Sequence, residues 1–250
     1  MKRLFLVVLL VFVAGFSGQA SSAALTIVAS QWPPYVDQSM AKKGLAMEIV
    51  SSAFERAGYQ PDIRIETWPR ALEGLEIGIY DVVGTVWKTP EREKPFVFSD
   101  PYWINQIKFI KKKNLKVSYD NLDDLSGYVI GTIKDYAYGD EFVNSSTLIK
   151  IPQNYIIQNL SKLHEGEIDL TLGDEIAIRY TLNQYLKSSI SEFEFLEKPL
   201  ASRELYIAVS KQNPMAEKIV SNFNRTILEM KGDGSFDAIT KKYQFPLLSE

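Results

Sequence analysis

Apolar and polar positions along this chain change period repeatedly, and each change marks an element. The stretch ALTIVAS is an apolar run of strand length. In GLAMEIVSSAFERAGY, apolar residues recur at Leu45, Ile49, Ala53, Phe54 and Ala57, the spacing of one helix face, and Gly58 is placed to end it. PDIRIETW alternates, with Ile63 and Ile65 on one face of a predicted strand. PRALEGLEIG reads as a short helix with Pro69 in its first turn, where the missing N–H costs no bond. DVVGTVW and FVFSDPYW read as two further strands. The order β-α-β-α-β-β points to an α/β sheet.

The pattern then begins again. NLDDLSG predicts a short helix ending at Gly127, YVIGTI a strand, YAYGDEFVNS a helix and LIKIP a strand. NYIIQNLSKLHEGEI and EIAIRYTLNQYL read as helices on either side of the strand DLTLGD. FEFLEKPL and ELYIAVSK close the series as strands, followed by a long helix, a Gly-rich turn and a last helix. The chain thus predicts two α/β units of similar size, without a long linker or a low-complexity segment. The sharpest composition change is IKKKNLK near the midpoint, whose lysines are expected to lie on a solvated turn.

The first residues change the picture of where the protein works. A basic start, MKR, precedes the apolar stretch LFLVVLLVFVAGF and the small residues SGQASSA. This is the layout of a secretory signal peptide, with cleavage expected after Ala23 or, alternatively, Ala20. The apolar stretch is shorter than the ~18 residues that normally span a bilayer. The chain has no cysteine, which excludes disulfides, thiol chemistry and a lipidated cysteine anchor. An exported protein of the bacterial periplasm is therefore expected. Loss of Lys2 and Arg3 would take the net charge from −3 to −5, which argues against nucleic acid or anionic lipid as the main partner.

Catalytic templates mostly fail. His164 is the only histidine and lies in a predicted helix, so with no cysteine a zinc site is not expected, and no cofactor motif occurs. The acidic pairs Asp123/Asp124, Asp140/Glu141 and Asp174/Glu175 are weak enzyme signals, since adjacent carboxylates usually solvate or cap helices. Three strand ends are more informative, because open α/β sheets collect ligands outside the carboxyl ends of their strands. Asp174 follows DLTLGD and either caps the next helix or reaches a cationic ligand group. Gly131 and Thr132 end YVIGTI and can present backbone N–H groups to an anion. Arg92 follows DVVGTVW in the charged string TPEREK, and its planar fork suits a carboxylate. The competing reading pairs Arg92 with Glu91, Glu93 or Asp100 in a solvated turn. An arginine, an N–H nest and an aspartate would together suit a small zwitterion.

These pieces, in this order, resemble the family 3 bacterial extracellular solute-binding proteins, the polar amino-acid-binding receptors of ABC transporters. The carriers are WPPY after the first strand, GLAMEIVSSAFERAG, the Trp68-to-Asp81 segment, TPER with FSDPY, DLSGYVIGT, GEIDLTLGDE and the tail MKGDGSFDAITKKY. The resemblance implies a type II periplasmic binding fold: two lobes, each a mixed sheet flanked by helices, joined by two crossing strands and closing on a ligand. It implies lobe one over 24–103 plus 205–250 and lobe two over 104–204. It also implies that Arg92 and the segment Gly131, Thr132 and Ile133 meet a ligand carboxylate, that Asp174 takes an α-amino group, and that Trp32 and Trp68 frame the side chain. The partner implied is an inner-membrane permease or a membrane sensor.

The sequence departs from the family pattern just before TPER. Small polar residues are usual there, but this chain has TVWK, so Thr85 and Trp87 are the candidate contacts and an indole replaces a small hydroxyl. Arg70, in WPRA, adds a second cation at the expected cleft mouth. Both features suit a more anionic or more aromatic ligand than an ordinary amino acid, unless Trp87 packs in the core and Arg70 faces water. Two other functions are carried forward: a dehydratase of cyclic dienyl acids with Asp174 or Glu175 as the acid, and a sensory partner of a membrane receptor.

Overall fold

A computed structural model describes residues 23–243; the expected signal peptide lies outside them except for Ala23. The strands are β1 (Ala23–Ser30), β2 (Tyr59–Glu66), β3 (Val82–Trp87), β4 (Phe96–Phe98), β5 (Trp103–Lys112), β6 (Val129–Ile133), β7 (Ile149–Gln153), β8 (Leu170–Asp174), β9 (Phe193–Phe195) and β10 (Ala201–Ser210). The helices are α1 (Leu45–Arg56), α2 (Trp68–Glu76), α3 (Pro90–Glu93), α4 (Asp140–Asn144), α5 (Ile156–Glu165), α6 (Glu175–Tyr185), α7 (Ala216–Gly232) and α8 (Ser235–Lys242). None of the described helices is long and apolar enough to cross a membrane.

The strands run in the order β2-β1-β3-β10-β5-β8-β6-β7, with β4 beside β10 and β9 beside β5. Two parallel blocks, β2-β1-β3 and β8-β6-β7, flank a central antiparallel pair made by β10 and β5. Those two strands are long enough to serve both blocks. The first half of β5 pairs with β10 and its second half with β8, while the second half of β10 pairs with β3 and β4. Trp103 faces Leu205 and Ile104 faces Glu204, so the two expected lobe boundaries meet on adjacent rungs of one strand pair.

Burial follows the period read from the sequence. Leu45, Ile49, Ala53 and Phe54 of α1 are buried against the first block, and Phe54 packs its ring 5.3 Å from that of Phe223 in α7. Gly58 ends α1 with a φ of +87°, a conformation costly for any side chain with a Cβ. In the second block, Leu160 and Leu163 of α5 and Ile178 and Leu182 of α6 close over Ile110 and Phe193.

Three elements differ from expectation. FVFSDPYW is not one strand: β4 stops at Phe98 and β5 starts at Trp103, because Pro101 has no N–H to give a ladder. The backbone between them still bonds β10, through Ser99 N–H to Ile207 O and Tyr102 N–H to Leu205 O. YAYGDEFVNS forms a helix only over Asp140–Asn144, so Tyr136 and Tyr138 stand in a loop. The lysines of IKKKN are not all on a solvated turn, since β5 runs on to Lys112 and Lys111 is only 5% exposed. Its ammonium is satisfied by the Leu115 carbonyl at 2.8 Å and by the Glu194 carboxylate.

Candidate functional site

Arg92 is placed by a local cap. Thr89 is extended, and its hydroxyl accepts the Arg92 N–H at the start of α3, at 3.4 Å. The short helix turns the Arg92 side chain back on β3, where Nη1 donates to the Trp87 carbonyl at 2.9 Å. The guanidinium carbon lies 4.8 Å from the Trp68 ring centre, a stacked cation–π contact. Burial pulls the Arg92 pKa down, opposed by the charges of Glu91 and Asp135. No carboxylate among the described residues lies within ion-pair distance of it, and Glu93 pairs with Lys88 instead, at 3.7 Å.

Asp174 ends β8 and is 1% exposed. Its Oδ1 accepts the Ala177 N–H at 2.8 Å, capping α6, and its Oδ2 accepts from Asn105 Nδ2 at 3.0 Å. Its own N–H donates to the Tyr136 hydroxyl at 3.2 Å. Desolvation pushes the carboxyl pKa up from the ordinary 3.8 to about 6, against the pull of the hydrogen bonds from Ala177 and Asn105 and of the nearby Tyr35 hydroxyl. Asn105 also accepts the Trp87 indole N–H at 3.0 Å. One amide on a crossing strand therefore links Trp87 of β3 to Asp174 of β8.

The β6 segment is engaged internally. Gly131 lacks a Cβ where one would meet Asn159 Oδ1 at 2.6 Å. Asn159 Nδ2 donates to the Thr132 carbonyl at 2.9 Å, and Thr132 is buried. The Ile133 N–H donates to the Tyr138 hydroxyl at 2.9 Å. The chain then turns through Asp135, with a φ of +58°, and α4 starts only at Asp140. The expected glycine turn at a helix N-terminus is therefore absent after β6: the intervening aromatic residues use their hydroxyls to bond neighbouring strand ends.

Aromatic rings fill the junction between the two blocks. Trp32 lies 4.4 Å from Tyr35, 5.6 Å from Trp87 and 6.5 Å from Tyr136, centre to centre. Tyr136 stands edge-on to Trp87 at 4.7 Å. The Tyr35 hydroxyl is fully buried and faces the Asp174 carboxylate and the Trp103 indole without closing a well-formed bond to either. At the rim, Asp37 accepts from the N–H and hydroxyl of Ser39 at 2.9 and 2.7 Å and is joined by Tyr180 of α6. Burial raises the Asp37 pKa, but these bonds outweigh it and leave the carboxyl below its ordinary range.

The structure thus brings Trp32, Trp87 and Asp174 together and places Arg92 and Trp68 in stacked contact beside the Trp87 carbonyl. Thr85 is buried within β3, and Arg70 is exposed in the first turn of α2. Glu175, the other candidate acid, is held by Lys108 at 2.8 Å and Arg179 at 2.6 Å. Burial raises its pKa, but the two cations outweigh that and lower it. His164 lies on α5, 3.3 Å from Glu192. The residues not singled out in the sequence are Tyr35, Asn105 and Tyr136. Tyr35 sits inside WPPY, and Asn105 is a polar residue in the inward register of β5 with Ile107 and Phe109, which is the signal that could have flagged it.

Comparison with known proteins agrees with this architecture. The model for bacterial extracellular solute-binding proteins, family 3, matches residues 25–246. The L-cystine-binding protein TcyA of Bacillus subtilis is 24% identical over 80% of this chain and 72% of its own length. The amino-acid-binding protein AabA of Dichelobacter nodosus is 25% identical over 84% and 82%. Among solved structures, an arginine-binding protein of T. maritima superposes with a TM-score of 0.74 at 20% identity, covering 88% of this chain and 95% of that one. A histidine kinase sensor domain similar to periplasmic binding proteins gives 0.75 at 16% identity, covering 89% and 96%. The shared fold is the two-lobe binding fold with crossing strands.

Proposed function

Since this chain belongs to the bacterial extracellular solute-binding proteins of family 3, we propose that it captures a small carboxylate, an amino acid or a related acid, between two lobes and hands it to an ABC-type permease. The lobes are 24–103 plus 205–250 and 104–204. β5 and β10 form the crossing, and closure follows from ligand contacts on both sides. The protein works outside the cytoplasm after cleavage of its leader near Ala23.

The observation that carries this reading is the state of Arg92. A guanidinium anchored through one nitrogen to the Trp87 carbonyl, stacked on Trp68 and lacking an ion-paired carboxylate keeps donors for a ligand carboxylate. The relatives named above are binding proteins, and Glu175 is occupied by Lys108 and Arg179, which favours binding over acid catalysis.

The test begins with a thermal-shift screen of amino acids, dicarboxylates and aromatic acids. A ligand present at about 100 times its Kd should stabilise the protein by about 2.7 kcal/mol. Calorimetric titration of the hit into wild type, Arg92→Lys and Arg92→Ala then decides. A charged hydrogen bond of about 1.5–3 kcal/mol predicts a loss of about ten- to a hundredfold in Arg92→Ala. Arg92→Lys should also weaken, because it loses the fork. Wild-type affinity in both variants would refute the receiver role.

A further inference from the structure

Resting on the carboxylate-receiving reading of Arg92, we propose that the ligand of this site is a small organic acid that carries no ammonium group. The acidic residue that would meet an ammonium, Asp174, lies within the junction but is closed off by its own partners. It is 1% exposed, and each carboxylate oxygen already accepts a bond, from Ala177 at 2.8 Å and from Asn105 at 3.0 Å. Tyr136 lies against it, with its hydroxyl on the Asp174 N–H and its ring edge-on to Trp87.

These partners do not leave when the lobes part. Ala177 is in α6, Tyr136 follows β6, and Asn105 lies on β5, whose next turn of the ladder pairs Ile107 with Asp174 itself. All therefore move with Asp174 or sit on the crossing. The orientation of the Asn105 amide is also set. The Trp87 indole nitrogen is only a donor, so Asn105 must turn its oxygen to Trp87 and its NH2 to Asp174. A small hydroxyl residue in place of Trp87 could donate or accept and would not impose that choice.

With the lobes together, an ammonium beside Asp174 would lose its hydration among the Trp32, Trp87 and Tyr136 rings. On the other side, Arg92 sits over the Trp68 ring, 4.8 Å from its centre, and its free donors ask for a carboxylate.

The test uses matched pairs that differ only in the amine: phenylalanine and phenylpropionate, tryptophan and indolepropionate, glutamate and glutarate, arginine and guanidinovalerate. Each is titrated calorimetrically into the mature wild-type protein and into Arg92→Ala. The expected result is that in at least one pair the amine-free acid binds about tenfold or more tightly than its amino acid, and that Arg92→Ala loses that binding. An amino acid that binds as tightly as its amine-free partner, or more tightly, overturns the inference. Equal binding of the amine-free acid to wild type and Arg92→Ala overturns the receiver reading of Arg92 even where the amine preference holds. Silence from every pair overturns both.

Discussion

The buried carboxyl of Asp174 makes a quantitative prediction about stability and pH in the ligand-free protein. Its pKa is raised by burial from 3.8 to about 6. Between those values the folded protein holds a proton that the unfolded chain has released, so stability falls as pH rises through this window. Well below 3.8 the carboxyl is neutral in both states and costs nothing. Above the folded pKa the full cost is present, and at about 1.36 kcal/mol per pH unit it amounts to about 3 kcal/mol. Asp174→Asn removes the charge while keeping an oxygen that can cap α6 through the Ala177 N–H. The new amide meets the Asn105 NH2, donor against donor, which adds a penalty of about 1–3 kcal/mol that is independent of pH. The variant's absolute stability is therefore not the readout; its pH dependence relative to wild type is. Urea unfolding at steps between about pH 4 and pH 7.5 should show the stability difference, variant minus wild type, rising by about 2–2.5 kcal/mol, with equal m-values. Carboxylates held below their ordinary range, such as Asp37 and Glu175, make both proteins gain stability over the same interval and largely cancel in the difference. A difference that stays constant from acid to neutral pH would refute the claim that burial outweighs the hydrogen bonds to this carboxyl.

Two further substitutions probe the frame around it. Asn105→Ala strips the Trp87 indole N–H and the Asp174 Oδ2 of their partners at once. With each buried orphan worth about 1–3 kcal/mol, the loss in urea unfolding should be about 2 kcal/mol or more, and a change under about 0.5 kcal/mol would contradict the linkage. Gly131→Ala drives a methyl to 2.6 Å from both Asn159 Oδ1 and Ile168 Cδ1. It should cost about 1–3 kcal/mol by overpacking, visible as a lower melting temperature, and wild-type melting would show that β6 and α5 can part without cost.

The sequence by itself determined the elements and their order, because periodicity reports which face of a segment is buried. Strands β1 and β2, the α1 face through Leu45, Ile49, Ala53 and Phe54, and the stop at Gly58 follow from spacing alone. So does the position of Arg92 just beyond β3, since TPER carries both a cap and a break. The tertiary structure decided everything that depends on what stands opposite. Trp87, Asn105, Tyr136 and Asp174 are strung over nearly ninety residues of chain and meet because β5 crosses between the blocks and β8 pairs with it. No local pattern encodes that meeting. The same reason turned two local readings aside. Tyr136 and Tyr138 sit where a helical period predicts a helix, but their hydroxyls are recruited by the Asp174 and Ile133 N–H groups. Lys111 sits in a run of lysines that composition assigns to water, but the alternation of β5 turns it inward to Glu194 and the Leu115 carbonyl. Local pattern encodes the burial of a face; only the fold supplies the partner that makes a buried polar group affordable.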